Sequence, residues 1–109
     1  MGSTLIVDDM EEVYNKISGC FKNPTYARTV EEALEKINSG NYKLVISDCY
    51  LSEDSPKGGL EILKAVKDKG LIRILMSTEN YRKEAEKLGA IFMFKKELFK
   101  LLEGYDGRK

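Results

Sequence analysis

Residues 5–13 read LIVDDMEEV: an apolar run, two adjacent carboxylates, then the start of a helical pattern. Leu5, Ile6 and Val7 suit a buried strand, and Met10, Val13, Tyr14 and Ile17 recur at helical spacing up to a stop at Gly19. A dinucleotide-binding unit would carry glycines in this first strand-to-helix turn, where the backbone must approach a pyrophosphate. Here the turn is DDMEE, and that chemistry is excluded. Packing alone gives no reason for two acids at a strand's end, so the pair is either a solvated turn or a site for something positive.

The alternation repeats along the chain. Tyr26 and Ala27 form a weak strand, and Thr29-Val30-Glu31-Glu32 has the capping-box pattern that starts a helix with Val30, Ala33, Leu34 and Ile37 on its apolar face. Ser39-Gly40 ends it. Tyr42 to Ser47 is apolar and β-branched enough for a buried strand ending at Asp48. CYLSEDSPKGG is a loop rich in turn residues, after which Leu60, Ile62, Leu63 and Val66 mark a helix closed near Gly70. Leu71–Met76 is a strand, Tyr81, Ala85 and Leu88 a short helix, Ile91–Phe94 the last strand, and Leu98, Leu101 and Leu102 a final helix before the polar tail GYDGRK. Strands alternating with helices of this length predict a parallel sheet covered on both faces, and right-handed crossovers favour a doubly wound α/β arrangement.

Composition sets the outer bounds. The 109 residues suit one domain, residues 1–109, with a core over about 3–102 and a tail over 103–109. Eighteen basic and eighteen acidic residues give a formal net charge of zero, which argues against broad electrostatic binding of nucleic acid. Two cysteines, Cys20 and Cys49, are too few for a disulfide framework and fit a reducing compartment. With no apolar run approaching roughly 20 residues and no signal-like segment, a cytoplasmic protein without membrane contact is expected.

In doubly wound sheets ligands gather beyond the carboxyl ends of the strands. The polar residues there are Asp8 and Asp9, Asp48, Ser77 and Thr78, and Lys95 and Lys96, with Arg28 and Thr29 after the second strand. Singly, each has an ordinary explanation as a turn residue, a cap or a solvated charge. Together they bring three carboxylates, a hydroxyl and an amine to one rim. Crowded carboxylates raise one another's pKa unless a cation neutralises them. Oxygen ligands with retained waters suit Mg²⁺. A carboxylate can also attack phosphorus to give an aspartyl phosphate, with metal and lysine offsetting the charge on the phosphoryl oxygens.

In order, LIVDDMEE, EEALEKINSGNYKLVISD, GGLEILKAVK, ILMST and GAIFMFKKELF resemble the motifs of the receiver domain of two-component response regulators, the CheY-like superfamily. The resemblance runs from about Ser3 to Leu102. It implies a flavodoxin-like, five-stranded parallel sheet in the order 2-1-3-4-5. It further implies Asp48 as phosphoacceptor and Mg²⁺, with Mn²⁺ as a possible substitute, held by Asp8, Asp9, Asp48 and the backbone carbonyl of Tyr50. Of the acidic pair, Asp9 is the direct ligand and Asp8 acts partly through water. Ser77 becomes the switch hydroxyl, and the Thr78 backbone contacts the phosphoryl group. Counting seven residues from Gly89 makes Lys96 the phosphoryl-interacting lysine, with Lys95 the alternative. The implied partners are a histidine kinase or phosphotransfer protein and a downstream protein target. Such a chain is modified itself and carries its own phosphotransfer and self-dephosphorylation chemistry, without turning over a separate substrate.

Several positions depart from that pattern. The loop from Asp48 to Gly59 is about three residues longer than usual. Glu97 replaces the proline that follows the family lysine, so a trans bond is expected there, a cis non-proline bond costing roughly 2.5–4 kcal/mol. Met93 stands three residues before Lys96, where relatives carry a Tyr or Phe that rotates, and Thr78 is bulkier than the usual Ala or Gly. These motivate an alternative, a receiver-fold binding module that has lost regulated phosphorylation. A flavodoxin-like redox protein is disfavoured, because the first turn lacks the small hydroxyl residues that hold a flavin phosphate. Cys49 reads as a small buried side chain, Cys20 as a core or boundary residue, and Lys64, Lys67 and Lys69 as a solvated helix face. Tyr26, Tyr42, Tyr50 and Tyr81 do not alternate with basic residues as a base-stacking surface would. With no room for an output domain after Leu102, output through protein–protein contact is expected.

Overall fold

The computed structural model describes residues 3–103. Strands β1 (Ser3–Val7), β2 (Pro24–Ala27), β3 (Tyr42–Asp48), β4 (Ile72–Ser77) and β5 (Ile91–Phe94) alternate with helices α1 (Glu11–Ile17), α2 (Val30–Ser39), α3 (Gly58–Ala65), α4 (Arg82–Lys87) and α5 (Lys95–Glu103). The strands form one parallel sheet in the order β2-β1-β3-β4-β5, as expected from the alternation and the resemblance. The polar tail read in residues 104–109 lies outside the described residues. Among the described residues, no helix is long and apolar enough to cross a membrane.

Side-chain alternation along the strands divides the core into two layers. Leu5, Val7, Val45 and Leu75 point to the face covered by Ala33 and Ile37 of α2, Ile62 and Leu63 of α3, and Ala85 of α4. Ile6, Ile46 and Met76 point to the opposite face, under Val13 and Ile17 of α1 and Leu98 of α5. Every one of these strand residues is fully buried, contributing about 1.5–3 kcal/mol each by removal from water. A sheet buried on both faces explains why the strands read as continuous apolar runs.

The capping box predicted at Thr29 forms. The Thr29 hydroxyl accepts the Glu32 N–H at 3.0 Å, and Glu32 Oε1 reaches back to the Arg28 N–H at 2.8 Å. Gly19 does not stop α1 in a left-handed conformation. It sits in a 3₁₀ turn, Ser18–Cys20, that extends the helix, and positive φ falls on Gly70, Gly89 and Asn23 instead. Arg73 is buried in β4, a position that reads as an ordinary strand residue. Its Nη1 donates to the Leu63 carbonyl at 2.9 Å, satisfying a late acceptor of α3 where a cation also suits the helix dipole.

Gly59 fastens α3 to the end of β3. Its N–H donates to the Cys49 carbonyl at 2.9 Å, and any Cβ there would overlap the Asp48 carbonyl. The close approach requires glycine, and it fixes the backbone on which Asp48 stands.

Candidate functional site

Asp8 and Asp9 follow β1, Asp48 ends β3, Ser77 ends β4, and Lys95 opens α5 directly after β5. The parallel order puts all of these at the carboxyl edge of the three central strands and their neighbour. Carboxylate oxygens of Asp8, Asp9 and Asp48 lie within 4.8 Å of one another. Asp9, Asp48, Tyr50, Ser77, Thr78 and Lys95 line a shared cavity of about 490 Å³. Sequence-predicted residues from four separate loops therefore converge, with one exception.

The exception is Lys96. It is exposed and lines a neighbouring cleft, whereas the Lys95 ammonium lies 3.1 Å from Asp8 Oδ2 and 3.1 Å from Asp48 Oδ2. The count that favoured Lys96 assumed one more residue between Gly89 and the rim. The strand ends at Phe94, and Lys95 is already the first helical residue. Glu97 sets that boundary, because its Oε1 accepts the Phe94 N–H at 3.0 Å, the back-bond of a capping box with Phe94 as N-cap. Glu97 as a third-position helix acid was the signal that would have found the lysine. Three residues before Lys95 stands Phe92, a buried aromatic packed edge-on against Phe94 at 5.0 Å between ring centroids. No cis peptide bond occurs among the described residues.

Asp8 is fully buried. Its Oδ1 accepts the Met10 N–H at 2.9 Å, which shapes the turn into α1. Its Oδ2 lies 3.1 Å from the Lys95 ammonium but outside hydrogen-bond geometry. A buried carboxylate oxygen with unused acceptor capacity, next to two further carboxylates, fits a divalent cation with oxygen ligands. Tyr50 is exposed and borders the cavity, two residues beyond Asp48.

Burial dominates the electrostatics. Asp48 is 6% exposed, and removal from water together with the nearby Asp8 charge pushes its carboxyl up to about 6, against the pull of Lys95. Asp8 is raised as well, chiefly by burial, with the Met10 hydrogen bond and Lys95 opposing. For Lys95 burial would lower the ammonium's pKa, but the two carboxylates outweigh it and the net direction is upward. The amine stays charged, and its single positive charge leaves the three-carboxylate cluster short of neutralising charge.

The remaining predicted residues take ordinary places. Ser77 is buried and its hydroxyl accepts the Glu79 N–H at 3.0 Å, which leaves its own O–H to donate. Thr78 is exposed at the rim. Cys49, despite adjoining Asp48, is buried in the apolar layer and its thiol is pushed up to about 11 by that burial, so it is an inert packing residue.

No protein-family model matches the chain, and no curated protein matches it in sequence. Solved structures do. The chain is similar to the chemotaxis response regulator CheY4 of Vibrio cholerae, at 23% identity over 96% of this chain and 98% of that one, with a TM-score of 0.73. It is similar to the response regulator TrrA of Thermotoga maritima in complex with Mg²⁺-BeF, at 28% identity over 96% and 99%, with a TM-score of 0.73. A two-component response regulator from Clostridium difficile matches at 21% identity over 99% and 98%, with a TM-score of 0.76. These neighbours are CheY-like response-regulator receiver domains, and the fold they share with this chain extends over nearly its whole length.

Proposed function

We propose that this chain is a receiver domain that accepts a phosphoryl group on Asp48 from a histidine kinase or phosphotransfer protein. The observation that carries the reading is the Asp8–Asp9–Asp48 cluster with the Lys95 ammonium 3.1 Å from Asp48, at the carboxyl edge of a receiver-type sheet. Mg²⁺ is the cation of choice, with Asp9, Asp48 and the Tyr50 backbone carbonyl as direct ligands and Asp8 acting partly through water. When bound, it offsets the carboxylate charge and that of the transferring phosphoryl oxygens.

The protein's own groups do the rest. At pH 7 a carboxyl titrating at about 6 is largely ionised, so Asp48 is available as a nucleophile. Its oxygen bonds to phosphorus as the phosphorus–nitrogen bond of a phosphohistidine donor breaks, and the imidazole leaves with the electron pair. Lys95 has a compact, mobile charge that can leave the carboxylate for a phosphoryl oxygen. In this reading the Ser77 O–H and the Thr78 backbone N–H donate to the attached group and draw β4 and the start of α4 toward Asp48. That shift changes the surface offered to a downstream protein. The reading places the protein in the cytoplasm, with neither nucleic acid nor membrane as partner.

Incubation with acetyl phosphate and Mg²⁺, followed by intact-mass measurement, tests it. The parent should gain one phosphoryl group and Asp48→Asn none. A parent that gains nothing under conditions where Mg²⁺ binds would refute the reading.

A further inference from the structure

The cavity beside Asp48 contains a second lysine. Lys57 closes the long loop after β3 and immediately precedes α3, and it lines the same cavity as Asp9, Asp48, Ser77 and Lys95. Its ammonium lies 5.8 Å from the centroid of the Tyr81 ring, within cation–π range, and Tyr81 lines the cavity too. Lys95 is engaged by two carboxylates, whereas Lys57 makes no ion pair among the described residues. Its backbone is held from the C-terminal side. A Cβ at Gly58 would crowd Val30, Leu51 and Ser55, and one at Gly59 would overlap the Asp48 carbonyl, so the chain after Lys57 is pressed against the end of β3.

Charge shows what this lysine is for. Asp8, Asp9 and Asp48 bring three negative charges when ionised, and Lys95 one positive. A divalent cation brings the sum to zero. An incoming phosphate group carries about −1.5 to −2, and Glu79 on the rim adds repulsion. A neutral site of this kind attracts the phosphate weakly, and the unpaired ammonium of Lys57 supplies the missing attraction. We propose that Lys57 is a second phosphate-recognition cation, which draws an anionic phosphodonor into the cavity and sets how tightly it is held before transfer. The inference rests on the reading of Asp48 as phosphoacceptor.

With acetyl phosphate as probe, an Asp48 carboxylate oxygen forms a bond to phosphorus while the bond from phosphorus to the acetate oxygen breaks. Acetate leaves with the electron pair, and no net proton moves. Lys57 takes no part in this exchange and holds non-bridging oxygens, so its loss should weaken binding without slowing transfer.

The experiment measures phosphorylation rate against acetyl phosphate concentration, at fixed Mg²⁺, for the parent, Lys57→Gln, Lys57→Arg and Asp48→Asn. Lys57→Gln should need about fivefold more acetyl phosphate for half its maximal rate, as expected for one partly exposed ionic contact. Its saturating rate should match the parent's, Lys57→Arg should restore most of the affinity, and 1 M salt should shrink the difference. Inorganic phosphate binding, followed by the amide shifts of Ser77 and Thr78, should weaken by a similar factor. Because Lys57 is exposed, its substitution leaves the fold intact. Equal half-saturating concentrations and equal phosphate binding in parent and Lys57→Gln would overturn the role of Lys57 and leave that of Asp48 standing. Asp48→Asn gaining as much phosphoryl as the parent would overturn both.

Discussion

Replacing Lys95 with Met removes the ammonium that faces Asp8 Oδ2 and Asp48 Oδ2, each 3.1 Å away, and keeps most of the aliphatic stem. Two buried carboxylates are then left without a cation, and one of them takes a proton instead. Keeping a proton on a carboxyl whose ordinary pKa is 3.8 costs about 1.4 kcal/mol per pH unit above it, hence about 6 kcal/mol at pH 8 and about 2 kcal/mol at pH 5. The parent already bears part of this, since Asp48 is raised to about 6, a penalty of about 3 kcal/mol at any pH well above that. The variant should therefore be less stable than the parent by about 3 kcal/mol at pH 8 and nearly as stable at pH 5, where the parent's Asp48 also holds its proton. Urea unfolding in EDTA at the two pH values reads this directly, as a midpoint shift of roughly 1–3 M at pH 8. Lys96→Met, at an exposed position, should stay within about 0.5 kcal/mol of the parent throughout. A loss that does not grow with pH, or one that follows Lys96, would refute the electrostatic account of the site.

Other consequences are equally open to measurement. In EDTA the parent itself should lose stability as pH rises from about 4 to about 6. Asp48 holds its proton up to about 6 in the fold and only to 3.8 when unfolded, so folding takes up a proton in that window, worth about 3 kcal/mol in total. A flat urea midpoint across the window would contradict it. Gly59→Ala should cost about 1–3 kcal/mol, because α3 must retreat from the Asp48 carbonyl, and an unchanged unfolding midpoint would show that the contact yields freely. Asp9→Ala should weaken Mg²⁺ binding at least about tenfold, the loss of one charged ligand. A calorimetric titration indistinguishable from the parent's would remove Asp9 from the site. Ser77→Ala should still accept a phosphoryl group on Asp48, while the amide shifts of β4 and α4 respond less than in the parent.

The architecture was legible because each of its signals is local and periodic. Apolar runs ending in acids, the Thr29–Glu32 cap and the glycines after short helices each specify a piece, and the parallel alternation leaves few ways to assemble them. Asp8, Asp9, Asp48 and Ser77 could be placed because a strand's end fixes which rim its next residue joins. Lys95 could not, because the period changes there from two residues to 3.6 and the direction of a side chain depends on the residue at which it changes. Only the Glu97 back-bond marks that point. Arg73 eluded the reading for a different reason: a charged residue inside a strand looks solvent-facing until a carbonyl such as that of Leu63 is brought against it. The close approach of Gly59 to Asp48, and the position of Lys57 over Tyr81, arise from loop paths that carry no periodicity at all.

The claim that Asp48 is the phosphoacceptor is tested most directly by locating the group on the chain. After incubation with acetyl phosphate and Mg²⁺, borohydride reduces an acyl phosphate to the alcohol, turning a phosphorylated aspartate into homoserine that peptide mass spectrometry can place. The account predicts homoserine at position 48, dependent on Mg²⁺ and reduced in Lys95→Met. Homoserine at position 8 or 9, or none in a sample that binds Mg²⁺, would contradict it.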